Sequence, residues 1–172
     1  MKTNIVKITT ETNDIPNFIS NSTLSTTVWF SGCHGKCKNC QNYNLIIPTP
    51  DFTPLQLSAE LTIRKQLTDW VVLSGGDPFW GDNKYTTAAL IKTTKELGYN
   101  IYIYTGYEFD IIKDFLEKRD MLKNIEYIKC GVYKEDLLNN DYLFASTNQS
   151  LYNNKGEKVY YFKNGKIINN LI

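Results

Sequence analysis

A chain of 172 residues with 42% hydrophobic composition can build one ordinary core but not two independent ones, so a single domain over residues 1–172 is expected. The 19 Lys and Arg against 18 Asp and Glu give no global basic field to hold nucleic acid or anionic lipid, so partners must be recognised locally. The stretch Met1 to Lys7 lacks the apolar core of a signal peptide and no run approaches the ~20 apolar residues of a membrane span, which points to the cytoplasm, where the four cysteines read as metal-binding or catalytic groups before disulfides.

In chain order, residues 9 to 25 are rich in Thr, Asn and Ser and read as an irregular lead-in. Thr26-Thr27-Val28-Trp29-Phe30-Ser31 is a β-branched and aromatic run that stops at Gly32, a buried strand, and the cysteine loop follows it directly. Beyond Pro48, Pro50 and Pro54, residues 55 to 68 place Leu57, Leu61 and Leu67 among polar residues, a helix opened by the cap-like pair Thr53-Pro54. Trp70 to Ser74 is a second strand ending in Gly75-Gly76-Asp77-Pro78, and a helix over roughly 84 to 97 is closed by Gly98.

The alternation continues. Strand Asn100 to Tyr104 leads to the turn Thr105-Gly106-Tyr107, a helix around Ile111 to Arg119, and strand Glu126 to Cys130 stopping at Gly131. Recurring strand, loop and helix predict an α/β fold with parallel strands and helices packed outside, and right-handed crossovers favour an incomplete, partly closed parallel β/α barrel. The last segment departs from this. Lys163-Asn164-Gly165-Lys166 between apolar runs is a strong signal for a C-terminal β-hairpin.

Gly32-Cys33, Gly75-Gly76, Thr105-Gly106 and Cys130-Gly131 each sit where an apolar strand ends. Ligands collect at the carboxyl ends of parallel strands, so these four loops are expected to line one mouth. Taken singly, each glycine is ordinary punctuation; together, with three cysteines on one of them, they favour a shared site.

Cys33, Cys37 and Cys40 have the spacing CxxxCxxC. Structural zinc normally draws four ligands from paired short spacings, and no second pair accompanies this loop. His34 would be an awkward fourth ligand beside Cys33. A four-iron cluster on three thiolates leaves one iron for an exogenous ligand, so iron–sulfur is favoured and zinc is the alternative.

The cysteine loop after the first strand, with Ser74-Gly75-Gly76-Asp77-Pro78, Tyr104-Thr105-Gly106-Tyr107 and Ser146-Thr147-Asn148-Gln149, resembles the activating proteins of anaerobic (class III) ribonucleoside-triphosphate reductase, within the radical S-adenosylmethionine (SAM) superfamily. The resemblance spans roughly residues 26 to 153. It implies a barrel of radical SAM type, with a 4Fe-4S cluster on Cys33, Cys37 and Cys40 and SAM chelating the open iron. Reductive cleavage would then give methionine and a 5′-deoxyadenosyl radical.

Residue by residue, Gly75-Gly76-Asp77-Pro78 resembles the strand end that approaches the amino group of SAM, glycine being needed because a Cβ would block close backbone approach. Thr105-Gly106-Tyr107 matches a stretch near the ribose or carboxylate, or is a turn with one aromatic packed on the rim. Asn42 matches an asparagine of the cluster loop, or caps its turn. There are departures: Asn39 stands where many relatives place an aromatic residue against adenine, and Cys130 where activases often have an acid, so Cys130 reads as a buried strand thiol rather than a fourth ligand. Asn148 and Gln149 match an Asn-Gln pair of unassigned role.

The implied function is abstraction of a glycine Cα hydrogen in the large reductase subunit, with a low-potential flavodoxin or ferredoxin as electron donor, and without nucleic acid or membrane partners. The alternatives are activation of another glycyl-radical enzyme such as pyruvate formate-lyase, a small radical SAM enzyme of deazapurine synthesis, or a non-catalytic electron-transfer or zinc-binding module.

Overall fold

The computed structural model describes residues 1–12, 14–16, 19, 24–35 and 37–171. Among the described residues eight strands form one sheet, and three α-helices pack against it. The strands are β1 (Ile5–Thr12), β2 (Leu24–Phe30), β3 (Trp70–Gly75), β4 (Asn100–Tyr104), β5 (Tyr127–Cys130), β6 (Ser150–Asn153), β7 (Lys158–Lys163) and β8 (Lys166–Asn169). The helices are α1 (Pro54–Arg64), α2 (Asn83–Glu96) and α3 (Phe109–Glu117), each connecting neighbouring strands of the series β2 to β5.

Strand order in space equals order in sequence. Strands β2 to β5 run parallel, while β1 adds antiparallel to β2 and β6, β7 and β8 follow antiparallel on the other side. This overturns the expected parallel β/α barrel of radical SAM type: the molecule is a single mixed sheet, mostly strands, whose parallel part is four strands wide. The reason lies in the chain after β5. Residues 131 to 149 contain no α-helix, so the chain has no crossover to deliver another parallel strand and instead folds straight back as β6. Antiparallel strands then occupy both ends of the parallel set.

The expected irregular lead-in is in part strand: Thr9–Thr12 lie in β1 and Leu24-Ser25 in β2. Threonine counts as polar in a composition, yet it is β-branched and suits a pleated surface. Its hydroxyls are used across the β1–β2 pair: Trp29 Nε1 donates to Thr9 Oγ1 at 2.9 Å, and the Thr10 and Thr26 hydroxyls meet at 3.3 Å.

Period-2 alternation sends side chains to two separate cores. Val71, Leu73, Ile101, Ile103, Ile128 and Cys130 face the helices, against Leu57 and Leu61 of α1, Leu90 and Ile91 of α2, and Ile112 and Leu116 of α3. Val72 and Tyr102 face the other way, into a smaller cluster with Tyr142, Phe144, Leu151 and Tyr160. The second face is therefore covered by the loop before β6 and by the C-terminal strands.

Helix limits follow local chemistry. Thr53 caps α1 with a reciprocal capping box to Gln56, and Pro54 occupies the first turn. The helix stops at Arg64, short of the expected residue 68, and Leu67 is left 60% exposed. Gly98 ends α2 in a left-handed conformation (φ 78°), its N–H donating to Lys95 O while Tyr99 N–H reaches Thr94 O. The hairpin turn has Asn164 and Gly165 at φ 50° and 75°, as a two-residue turn between twisted strands requires.

Thr53→Ala removes the hydroxyl that accepts from Gln56 N–H and leaves the other half of the capping box, Thr53 N–H to Gln56 Oε1, in place. We expect a loss of about 1 kcal/mol in unfolding free energy, read as a lower denaturant midpoint with an unchanged slope.

Candidate functional site

The carboxyl ends of β2 and β3 are laced together by backbone. Gly76 N–H donates to Phe30 O at 2.7 Å and Asp77 N–H to Gly32 O at 2.9 Å, while the segment after the cysteines returns to place Leu45 O on Gly32 N–H (2.8 Å) and Ile46 O on Cys33 N–H (3.1 Å). Such contact leaves no space for side chains. A Cβ on Gly75, whose φ is 107°, would come within 2.5 Å of Phe30 O, and one on Gly76 within 2.5 Å of Gly32 O. The close approach these glycines permit is thus first an approach of the protein to itself.

Asp77 extends the lacing sideways. It is 1% exposed, and its carboxylate accepts from Phe79 N–H (2.8 Å), Gly106 N–H (2.8 Å) and the Thr105 hydroxyl, which is 3.0 Å from both oxygens. Burial holds its pKa above the ordinary carboxyl value, offset only in part by these donors and by His34 nearby. The Asp77 carboxylate therefore ties the β3 loop to the β4 loop. Below it, Asn83 Nδ2 bridges Ser31 O (2.8 Å) and Asp77 O (2.9 Å), and Asn4 Nδ2 donates to Asn83 Oδ1 at 2.9 Å.

On this base sits a cavity of about 750 Å³. Cys33, Cys37, Cys40, Asn42, Gly75, Gly76, Asp77, Thr105 and Gly106 all line it, so the structure brings most of the expected residues to one place. Asn42 Nδ2 donates to Gly75 O at 3.3 Å, joining the cysteine loop to the β3 end. Pro78 and Tyr107 lie outside the wall. Pro78 O accepts from the buried Thr87 hydroxyl (2.6 Å), and Tyr107 packs edge-on to His34 with ring centroids 5.9 Å apart, the rim role of an aromatic turn residue.

Cys130 is 2% exposed on the helix-facing side of β5, and burial pushes its thiol pKa far up, so it has no part in the cavity. Gln149 lines the cavity; Asn148 instead donates to Val132 O at 2.8 Å behind it.

The sequence offers no site role for Lys129 or Glu135 and weighs His34 only as an awkward fourth ligand. His34 leans over Gly106, where a Cβ would meet Nε2 at 2.6 Å. Lys129 reaches the cavity from β5, with its pKa lowered to about 8 chiefly by burial. Glu135 clasps the cysteine loop, pairing with Lys38 at 2.7 Å and accepting from Asn39 Nδ2 at 3.1 Å, while Asn39 holds a left-handed φ of 55°. Lys129 had a signal: a lone cation in the apolar run Tyr127-Ile128-Lys129-Cys130.

The three loop cysteines are free thiols, each partly exposed. Burial raises the pKa of Cys33, the Gly35 N–H lowers it, and the negative charges of Asp77, Cys37 and Cys40 raise it further, the mark of thiols crowded around one space. Among the described residues no three Cys, His, Asp or Glu side chains close around a single ion. A four-iron cube, however, takes each cysteine at a separate corner, so its ligands stand apart around one cavity. The donor set and its placement fit such a cluster.

An open mixed α/β sheet with three cavity-lining thiolates beyond β2 defines an iron–sulfur protein. Comparison with known families agrees: the model of the 4Fe-4S single cluster domain matches residues 23–152, most of the chain, which belongs to that family. A search of curated proteins finds no match. The zinc alternative is thereby set aside in favour of an iron–sulfur cofactor. Among the described residues no helix is long and apolar enough to cross a membrane.

Asp77→Ala leaves the buried Phe79 N–H, the half-buried Gly106 N–H and the Thr105 hydroxyl without their acceptor. We expect about 3 kcal/mol of destabilisation by denaturant titration. Gly76→Ala should destabilise by about 2 kcal/mol or more, because the atoms it meets are backbone.

Proposed function

We propose that this protein is a radical SAM enzyme that activates anaerobic ribonucleoside-triphosphate reductase by generating a glycyl radical on its large subunit. The observation that carries the reading is a set of three thiols, not four, on the wall of a cavity of about 750 Å³. Three ligands leave one iron for a small molecule, and the volume falls within the ~300–1,000 Å³ typical of nucleoside-sized ligands. When bound, the cluster supplies the electron for reductive cleavage of the SAM sulfonium.

The chain's own residues bind and position. Cys33, Cys37 and Cys40 hold the cluster, Gly75 and Gly76 keep the β3 end low enough to leave room beside it, and the tie from Asp77 to Thr105 and Gly106 fixes the floor. Leu143 and Phe144 supply apolar wall that excludes water from the reacting centre.

A protein substrate is supported by the rim. Tyr43 and Ile47, just after the cysteine loop, are 75% and 74% exposed, and Leu138 beside the Glu135 clasp is 53% exposed. Exposed apolar residues around a catalytic mouth suit a macromolecule that completes the wall. A flavodoxin or ferredoxin would donate the electron.

Anaerobic reconstitution should give about four irons per chain. With SAM, reductant and the large reductase subunit it should give methionine and a glycyl-radical EPR doublet, and Cys37→Ala should abolish the iron and both products. Absence of the doublet with the reductase but its presence with pyruvate formate-lyase would reassign the partner. No spectral change on adding SAM to the reduced, loaded protein would return it to electron transfer alone.

A further inference from the structure

We propose that Glu135 is a positioning residue for the cluster: reaching across from the loop before β6, it holds the turn between Cys37 and Cys40 in the shape that takes iron, and so governs how long the cluster is retained. The inference rests on the reading that Cys33, Cys37 and Cys40 hold a cluster, and on neither SAM nor the reductase.

The fold does not fix the three thiols equally. Cys33 follows β2 directly, and the N–H groups of Gly32 and Cys33 donate to Leu45 O (2.8 Å) and Ile46 O (3.1 Å). Beyond Cys40, Asn42 Nδ2 donates to Gly75 O at 3.3 Å. Between these moorings lies the turn of residues 37 to 39. Among the described residues, the hydrogen bonds and ion pairs that join this turn to a distant part of the chain are the two made by Glu135. Its Oε2 pairs with Lys38 Nζ at 2.7 Å, and its Oε1 accepts from Asn39 Nδ2 at 3.1 Å, so both carboxylate oxygens are used.

Asn39 needs such a hold. Its φ of 55° is left-handed, and it directly precedes Cys40, so its backbone decides where that thiol points. Asparagine tolerates this conformation better than most residues without preferring it.

Glu135 itself stands on an anchored loop. It opens the short helical turn Glu135–Leu137, where Thr147 N–H donates to Leu137 O at 3.0 Å, and Leu138 bridges to the fully buried Ser146. Tyr142 and Phe144 of the same loop pack on Tyr160, with ring centroids 5.2 and 5.5 Å away. The loop is therefore the fixed side of the clasp, and the cysteine turn is the side it steadies.

A simpler role is a solvated surface pair without effect, as exposed pairs often are. The two roles differ in where a loss is felt. A turn tied by two side-chain contacts opens locally, so removing them raises its open fraction and leaves global unfolding unchanged. Iron on Cys37 and Cys40 is open to attack each time the turn opens.

The test is anaerobic loss of iron from the reconstituted holoprotein to excess chelator, wild type against Glu135→Ala, with the denaturant midpoint of each apoprotein measured alongside. We expect about 3- to 10-fold faster loss in the variant, with the midpoint unchanged. Glu135→Gln keeps an acceptor for Asn39 and should fall between the two. High salt should speed the loss from wild type more than from Glu135→Ala, because it screens the pair with Lys38. Lys38→Met should speed the loss in the wild-type background and not in the Glu135→Ala background. Equal rates for wild type and Glu135→Ala, or an equal effect of Lys38→Met in both backgrounds, overturn the positioning role. A fall in the denaturant midpoint large enough to account for the faster loss overturns it too. If Glu135→Ala does not fold, Lys38→Met against wild type serves the same comparison. Failure of the wild type to hold about four irons overturns the cluster reading instead, and with it the role named here.

Discussion

The Asp77 carboxylate is buried at the junction of two loops, and the geometry of the site depends on it. A carboxylate 1% exposed would be a heavy burden if it were unpaired; here the donors of Phe79, Thr105 and Gly106 surround it, and two of the three belong to a different strand end. The same segment lies on the backbone of β2 through the Gly76 and Asp77 N–H groups. Three successive strand ends are thus fixed to one another without any side chain large enough to fill the space above. The cavity exists because its floor is made of glycine backbone and one inward-turned acid.

The rest of the sheet serves that floor by what it does not do. After β5 the described residues supply no further α-helix, so the second face of the sheet is covered by the loop containing Tyr142 and Phe144 and by β6 and β7. That loop provides one cavity wall and, through Glu135, holds the cysteine loop from the far side. An exposed ion pair of this kind contributes well under ~1 kcal/mol to stability. Its value is orientation: it limits where the cysteine turn can lie. A fold with few parallel strands can in this way enclose a cofactor-sized space on one side while leaving an apolar rim on the other.

Much of the site was legible from local pattern. The cysteine spacing, the Gly-Gly pair at the end of β3 and the Thr-Gly pair at the end of β4 are short-range signals, and a parallel sheet brings such strand ends together. The capping pair Thr53-Pro54 and the turn Asn164-Gly165 are likewise local chemistry. What could not be read was long-range or ambiguous. The threonines of β1 look like loop by polarity, and β6 is four residues long; each is recruited by its neighbour's open edge rather than by its own periodicity. The barrel failed for the same reason: three strand–helix repeats describe the four strands they contain and are silent on whether the pattern continues. Lys129 was visible as a charge in a strand, but only the face assignment of β5 shows that it reaches the cavity. The resemblance gives Gly75 and Gly76 a close approach to SAM; the group that approaches them in the structure is the protein's own backbone.

Cys130 gives the molecule an internal reference. Three thiols are partly exposed on one loop and the fourth is sealed among Ile128, Phe109 and their neighbours, with its ionisation strongly suppressed. Thiolate reagents attack the ionised, accessible form, so the fourth sulfur is silent while the fold is intact. Counting reactive sulfurs therefore separates three conditions of one polypeptide chain: ligands masked by iron, ligands bare on a native scaffold, and a scaffold that has opened.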